Sequence, residues 1–233
     1  MRGPVMSVRN DAFIGAVIGA SGSGKSAFVK IRIRHMQRLM IWDPMNEYGR
    51  ESGINATLCK DLRTMVKVIG KEKTFAVRYV PMGSEKQLAE RFAVFCALAF
   101  AIGDLCMVIE EIQQVTQAGR APAEWSNCTL RGRHRGLRIY GITQRPALVD
   151  KNFFSNATEI RCGRLNFAAD VTTMDNVLNI KAARPMLRGE VVNSVADLRP
   201  LEYVSRDMAT GAVMAGTLKF GPAVKKNQRG KSG

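Results

Sequence analysis

The sequence predicts an α/β fold in which helices cover both faces of a mostly parallel central sheet. Three observations lead there. Short apolar, β-branched runs recur along the chain, helix-length segments separate them, and a glycine-rich turn joins the first run to the first helix. The 233 residues suffice for one sizeable domain and are too few for two ordinary ones. With 46% hydrophobic and 24% charged residues the composition is globular, which excludes a largely disordered or fibrous protein.

Residues 12–18 are an apolar run containing Val17 and Ile18 and read as a buried strand. After the glycine-rich turn, Lys25 to Leu39 continues at helical length without Gly or Pro. Residues 39–42 form a second strand, ended by Asp43-Pro44. In 60–69, Leu62, Met65, Val66 and Ile69 fall on one face of a helix, and 74–80 reads as a strand. Residues 84–102 are the longest helix: Ser84 and Gln87 make a capping box, and Gly103 can terminate it. Its most apolar part, 92–102, is far shorter than the roughly 20 residues that span a bilayer, so a buried helix is expected and no membrane anchor. Met1 to Asp11 holds no apolar core of signal-peptide length, and a cytoplasmic protein follows.

Three further strands are read at 105–109, 137–143 and 158–162. After Asn193 the pattern changes, and 201–205 with 214–220 suggests a terminal hairpin. The organisation is therefore a core over 1–193, a small C-terminal β extension of the same domain over 194–224, and a basic flexible tail over 225–233. That tail carries Lys225, Lys226, Arg229 and Lys231 and no acid.

Lys and Arg number 35 against 20 Asp and Glu, leaving a net charge of +15. A protein this basic is expected to face a polyanion, with nucleic acid first in line. Its five cysteines, Cys59, Cys96, Cys106, Cys128 and Cys162, contain no CxxC pair, and only His35 and His134 are there to join them. They read as small core residues of a reducing compartment, not as a zinc site or disulfide framework.

The chemistry starts at Gly19-Ala20-Ser21-Gly22-Ser23-Gly24-Lys25-Ser26, a full match to GxxxxGK[ST], the Walker A loop. Glycines let successive backbone N–H groups point inward at phosphate oxygens, and the helix that follows offers its positive end. Lys25 would neutralise charge between the β- and γ-phosphates of ATP, and Ser26 would ligate Mg²⁺. Hydrolysis also needs an acid near the metal and a base for the attacking water. Five apolar residues followed by Glu110 and Glu111 supply both, Glu110 for the Mg²⁺ shell and Glu111 for water. Asp is usual in the first position, so the two roles are open to exchange. Gln144, just beyond the strand at 137–143, is placed to sense the γ-phosphate.

With these motifs in order, the sequence resembles the FtsK–HerA superfamily of DNA-pumping ATPases, most of all the genome-packaging ATPases of tailless, membrane-containing icosahedral viruses. The resemblance covers about residues 12 to 180 and includes Ile41-Trp42-Asp43-Pro44, Asn46-Glu47-Tyr48-Gly49 and Arg131-Gly132-Arg133-His134-Arg135-Gly136. It implies a P-loop NTPase of the additional-strand (RecA/FtsK-like) type, with a strand inserted between the cradle strand and the acidic strand in the order 5-1-4-3-2. It further implies a hexameric ring that hydrolyses ATP to drive double-stranded DNA through a pore, docked at a viral capsid vertex. Arg133 or Arg135 would be the finger reaching a neighbouring subunit's site, and other basic residues would touch DNA phosphates without reading sequence. Lys30-Ile31-Arg32-Ile33-Arg34 is a second candidate for such contacts, or else the exposed face of a helix. Asp43 is open between a place near the metal and an ordinary turn. Two rivals stand beside the motor: a nucleotide or small-molecule kinase with the same loop, and a phage morphogenesis P-loop protein like the zonula-occludens-type toxins. A nucleotide sensor unable to hydrolyse is a third.

Overall fold

The computed structural model describes residues 13–70, 72–119 and 121–219; the basic tail at 225–233 and the first residues lie outside them. Among the described residues nine strands form one sheet. In chain order these are β1 (Phe13–Ile18), β2 (Arg38–Trp42), β3 (Thr57–Cys59), β4 (Phe75–Tyr79), β5 (Cys106–Ile109), β6 (Arg138–Thr143) and β7 (Glu159–Gly163). A two-stranded ribbon of β8 (Met186–Leu187) and β9 (Glu190–Val191) interrupts the series, which then closes with β10 (Glu202–Asp207) and β11 (Val213–Thr217). The helices are α1 (Lys25–Ile33), α2 (Leu62–Ile69), α3 (Glu85–Ile102), α4 (Ala123–Arg131), α5 (Lys151–Ser155), α6 (Ala168–Val177) and α7 (Ile180–Ala183).

Across the sheet the order is β11-β10-β7-β1-β6-β5-β2-β4-β3. Strands β1 to β7 pair in parallel, while β10 and β11 join the β7 edge antiparallel. The cradle strand β1 is thus separated from the acidic strand β5 by β6, and β7-β1-β6-β5-β2 is the expected 5-1-4-3-2 order. Parallel pairing brings the carboxyl ends of β1, β2, β5 and β6 to one side of the sheet, where α/β folds place their ligands.

Side chains alternate between the two faces, as strand geometry requires. Along β5, Cys106 and Val108 join one apolar cluster with Phe28, Ile33 and Tyr140, while Met107 and Ile109 join the other. The second face carries a chain of packed rings: Trp42 lies 5.2 Å from Phe92, Phe92 5.7 Å from Trp125, and Trp125 5.6 Å from Phe153. Ring pairs at these separations add about 0.5–1.5 kcal/mol each beyond the area they bury. The capping box is present at the start of α3, with Ser84 accepting from the Gln87 N–H and the Gln87 side chain accepting from the Ser84 N–H.

Helix α1 is shorter than expected, ending at Ile33 and not at Leu39. The Met36 N–H closes a turn onto the Ile33 carbonyl, and Arg38 and Leu39 are taken by the β2 pairings with β4 and β5. Strand β3, with only three residues and two of them exposed, carries too little apolar pattern to be read. Helices α4 and α6 bury few residues, chiefly Trp125, Cys128 and Met174, which explains why their periodicity is faint. All five cysteines are buried thiols. Among the described residues no helix is long and apolar enough to cross a membrane.

Candidate nucleotide-binding site

The glycine-rich turn leaves β1 and bends straight into α1. Gly24 stands at φ +89°, where L side chains are strained, and a Cβ there would lie 3.0 Å from Leu201, just before β10, and Leu218, just after β11. Two backbone bonds pin the turn to the ends of its neighbours: Gly19 N–H to the Thr143 carbonyl at 3.2 Å and Ala20 N–H to the Arg164 carbonyl at 2.7 Å. The first turn of α1 holds no acidic residue, which leaves its positive end to an anion. Lys25 Nζ donates to the Ala20 carbonyl at 2.9 Å. Burial lowers its pKa, and the nearby charges of Glu111, Glu110 and Glu47 oppose that shift.

Glu110 follows the last residue of β5 and is only 3% exposed. Its Oε1 accepts from the Tyr48 hydroxyl at 2.5 Å. Burial pushes its carboxyl up to about 7, the charges of Glu47 and Glu111 push the same way, and hydrogen bonds from Tyr48 and Ser26 hold it down. Ser26 and Glu110 line the same cleft, two hard oxygen donors of the kind Mg²⁺ prefers, so the residues present fit that ion.

The backbone of Glu111 is left-handed, φ +50°. For a residue other than glycine that conformation costs roughly 1–3 kcal/mol and persists where surrounding contacts enforce it. Here Gln144 Nε2 donates to Glu111 Oε1 at 2.7 Å, and Gln113 Nε2 donates to Glu111 Oε2. The five residues Lys25, Ser26, Glu110, Glu111 and Gln144, far apart in sequence, line one cleft of about 230 Å³ together with Ser21, Gly22, Gly24 and Glu47. A larger groove of about 900 Å³, lined by Glu85, Leu88, Gln113, Gln114 and Pro122 among others, contains none of the expected site residues.

Asp43 is fully buried, and its surroundings give it the turn role. One carboxylate oxygen accepts from the Glu47 N–H at 2.7 Å; the other accepts from the Tyr48 N–H at 3.1 Å and from Arg78 at 3.1 Å. This turn delivers Tyr48 to Glu110 and Glu47 to the rim of the cleft. Sequence reasoning noted Glu47 and Tyr48 only as part of a resemblance and gave them no chemistry. Gln113 was missed altogether; its single signal was a place two residues after the paired acids.

The structure does not bring Arg133 and Arg135 to this cleft. They precede β6, whose far end carries Gln144, so about six residues of strand, roughly 20 Å, separate them from it. The Arg135 guanidinium donates to the carbonyls of Phe100 at 2.9 Å and Ala101 at 2.5 Å, capping the end of α3. Within its own chain Arg135 is a helix cap. Arg133 is exposed, and its side chain donates to His134 in its own loop, 3.3 Å away. Of the 30–34 stretch, Lys30 lies over the Tyr48 ring, Arg32 pairs with Glu159 at 3.4 Å, and Ile33 is buried.

The inserted strand, the cradle and the paired acids define the additional-strand class of P-loop NTPase folds. Among solved structures the chain is similar to the genome-packaging NTPase B204 of Sulfolobus turreted icosahedral virus 2 in complex with AMPPCP, with TM-score 0.65 at 16% identity over 88% of this chain and 97% of that one. It is also similar to VirB4 of Thermoanaerobacter pseudethanolicus, with TM-score 0.62 at 12% identity over 95% and 92% of the two chains. Protein P9 of Pseudoalteromonas phage PM2 is 28% identical over 169 residues, 70% of this chain and 74% of P9. No family model matches. The P-loop NTPase fold that the sequence resemblance implied is borne out by these likenesses.

Proposed function

We propose that the protein hydrolyses ATP and uses the energy to translocate double-stranded DNA, in the packaging of a viral genome. The observation that carries this reading is the placement of Glu111: its carboxylate is held by Gln144 across from the cradle, where a base must stand to orient water against the terminal phosphate. A kinase would exclude water from that position. The fold likeness to B204, described as a genome-packaging NTPase, supports the motor reading.

In the proposed reaction the N–H groups of the turn and Lys25 bind the phosphates and balance their charge. Mg²⁺, held by Ser26 and Glu110, would neutralise charge building on the phosphate oxygens. Glu111 accepts the proton of the attacking water, and Gln144 orients that water or contacts the γ-phosphate. With its acids and amides fixed before nucleotide arrives, the site loses little to reorganisation in the transition state.

DNA is to be gripped through its phosphates, because a packaging motor must accept any sequence. The exposed Arg34, Arg131 and Arg133 are proposed for this contact, and a hexameric ring at a capsid vertex is the assembly in which it would operate. The deciding experiment is an ATPase assay with and without duplex DNA, alongside mass measurement of the assembly. Hydrolysis without an acceptor, stimulated by duplex, is the expected result; phosphate transfer to a small acceptor would establish the kinase instead.

A further inference from the structure

We propose that Gln113 is a positioning residue for hydrolysis, the fixed holder of Glu111, and that Thr143 sets its orientation. This rests on the ATPase reading above and deepens it. Glu111 has two amide donors, and they are anchored unequally. Among the described residues the Gln144 side chain is bonded to Glu111 alone, at 2.7 Å. Gln113 is held at both ends, with Nε2 on Glu111 and Oε1 accepting from the Thr143 hydroxyl at 2.7 Å. The Thr143 oxygen in turn accepts from the Arg145 N–H at 2.9 Å.

That chain has a direction. A hydroxyl has one proton to give. The Glu111 carboxylate, an acceptor, takes the Gln113 NH₂; that leaves the Gln113 carbonyl for Thr143, whose hydroxyl gives it its proton while its oxygen accepts from the Arg145 N–H. The anchor reaches the backbone beyond the inserted strand, and Thr143 is fully buried. Two donors also leave part of the carboxylate free, since an ionised carboxylate offers about four acceptor positions. Glu111 is consequently oriented, not blocked. Gln144 can let go of Glu111 to meet water or the γ-phosphate while Gln113 keeps the base in place. The strained backbone of Glu111 supports the same division: a left-handed glutamate needs a contact that does not come and go during turnover.

The test uses the full chain in its DNA-stimulated state. Gln113→Leu keeps the side-chain size and removes both amide groups. It should lower kcat about 10–100-fold, the range found for groups that orient a ligating or catalytic side chain, with KM and the affinity for a nonhydrolysable ATP analogue within about twofold. Thr143→Val should lower kcat by a smaller factor, Thr143→Ser should restore it, and Gln113→Leu/Thr143→Val should be no slower than Gln113→Leu alone. A merely structural role would weaken analogue binding and the thermal midpoint together with kcat, and Thr143→Ser would not rescue separately. Turnover within twofold of wild type in Gln113→Leu, or effects that multiply in the double variant, would overturn the assignment. Should Gln113→Leu fail to fold, the Val and Ser variants at Thr143 still decide: equal activity in the two rejects it. A wild-type protein that binds the analogue but never hydrolyses ATP removes the ATPase reading itself, a different outcome from active wild type with an unaffected variant.

Discussion

The two ends of the sheet are opposites in charge and in how their side chains are used. Where the parallel strands finish, Glu47, Glu110 and Glu111 converge on one lysine, and the side chains of Lys25, Glu110, Glu111 and Gln144 are each hydrogen-bonded. Where they begin, Arg34, His35, Arg133 and His134 lie exposed, each arginine side chain bonded to the histidine beside it. Preorganisation belongs to the first end, which must hold a reacting geometry. The second has the loose, solvated cations suited to a partner whose phosphates pass by. Nearness in sequence misleads here: Arg135 and Gln144 are nine positions apart yet stand at opposite ends of β6.

Several substitutions separate the ends. Lys25→Ala should cause the largest loss, reducing ATPase activity by at least about 10²-fold through removal of the central phosphate contact, as steady-state phosphate release would measure. Glu111→Gln should lower turnover about 10²–10⁴-fold while a fluorescent ATP analogue still binds; loss of binding would mean the two acids have exchanged roles. At the basic end, Arg135→Ala should leave turnover of the folded protein intact and cost about 1–3 kcal/mol in denaturant unfolding, because two α3 carbonyls lose a charged donor. Arg133→Ala should leave stability unchanged and reduce the salt slope of DNA affinity by about one. If it stops hydrolysis instead, and mixing with Lys25→Ala restores activity, Arg133 works in a neighbouring subunit and the contrast between the ends weakens.

The smallest effect concerns pH. Glu110 holds its proton up to about 7 in the folded chain, against 4.5 when unfolded. The folded state thus binds more protons between those values, and the stability contributed by this group is full below 4.5 and lost as pH rises through 7. Glu110→Gln should therefore gain on the order of 1 kcal/mol over wild type at pH 8 and little at pH 5, read from thermal unfolding at the two values.

Much of the fold was legible because strands buried on both faces must be apolar inside, and β1, β2, β5 and β6 are, with polar residues only at the ends of β2 and β6. The cradle was legible because a turn that wraps phosphate needs glycines at set spacings. Strand β3 and helices α4 and α6 escaped, since each borrows its stability from neighbours and shows little period of its own. At the site, Lys25, Ser26, Glu110, Glu111 and Gln144 were found from motif order. Tyr48, Glu47 and Gln113 were not, because their partners lie on other strands and no local pattern announces them.

The sequence by itself determined the layered α/β architecture, the phosphate-binding turn and the pair of acids, for these depend on residue type and short-range spacing. Only the tertiary structure decided that Asp43 braces a turn, that Arg135 caps a helix, and that a glutamine no motif contains grips Glu111. Hydrogen bonds between strands depend on which strands are neighbours and in what register, and that information appears only when the sheet is assembled.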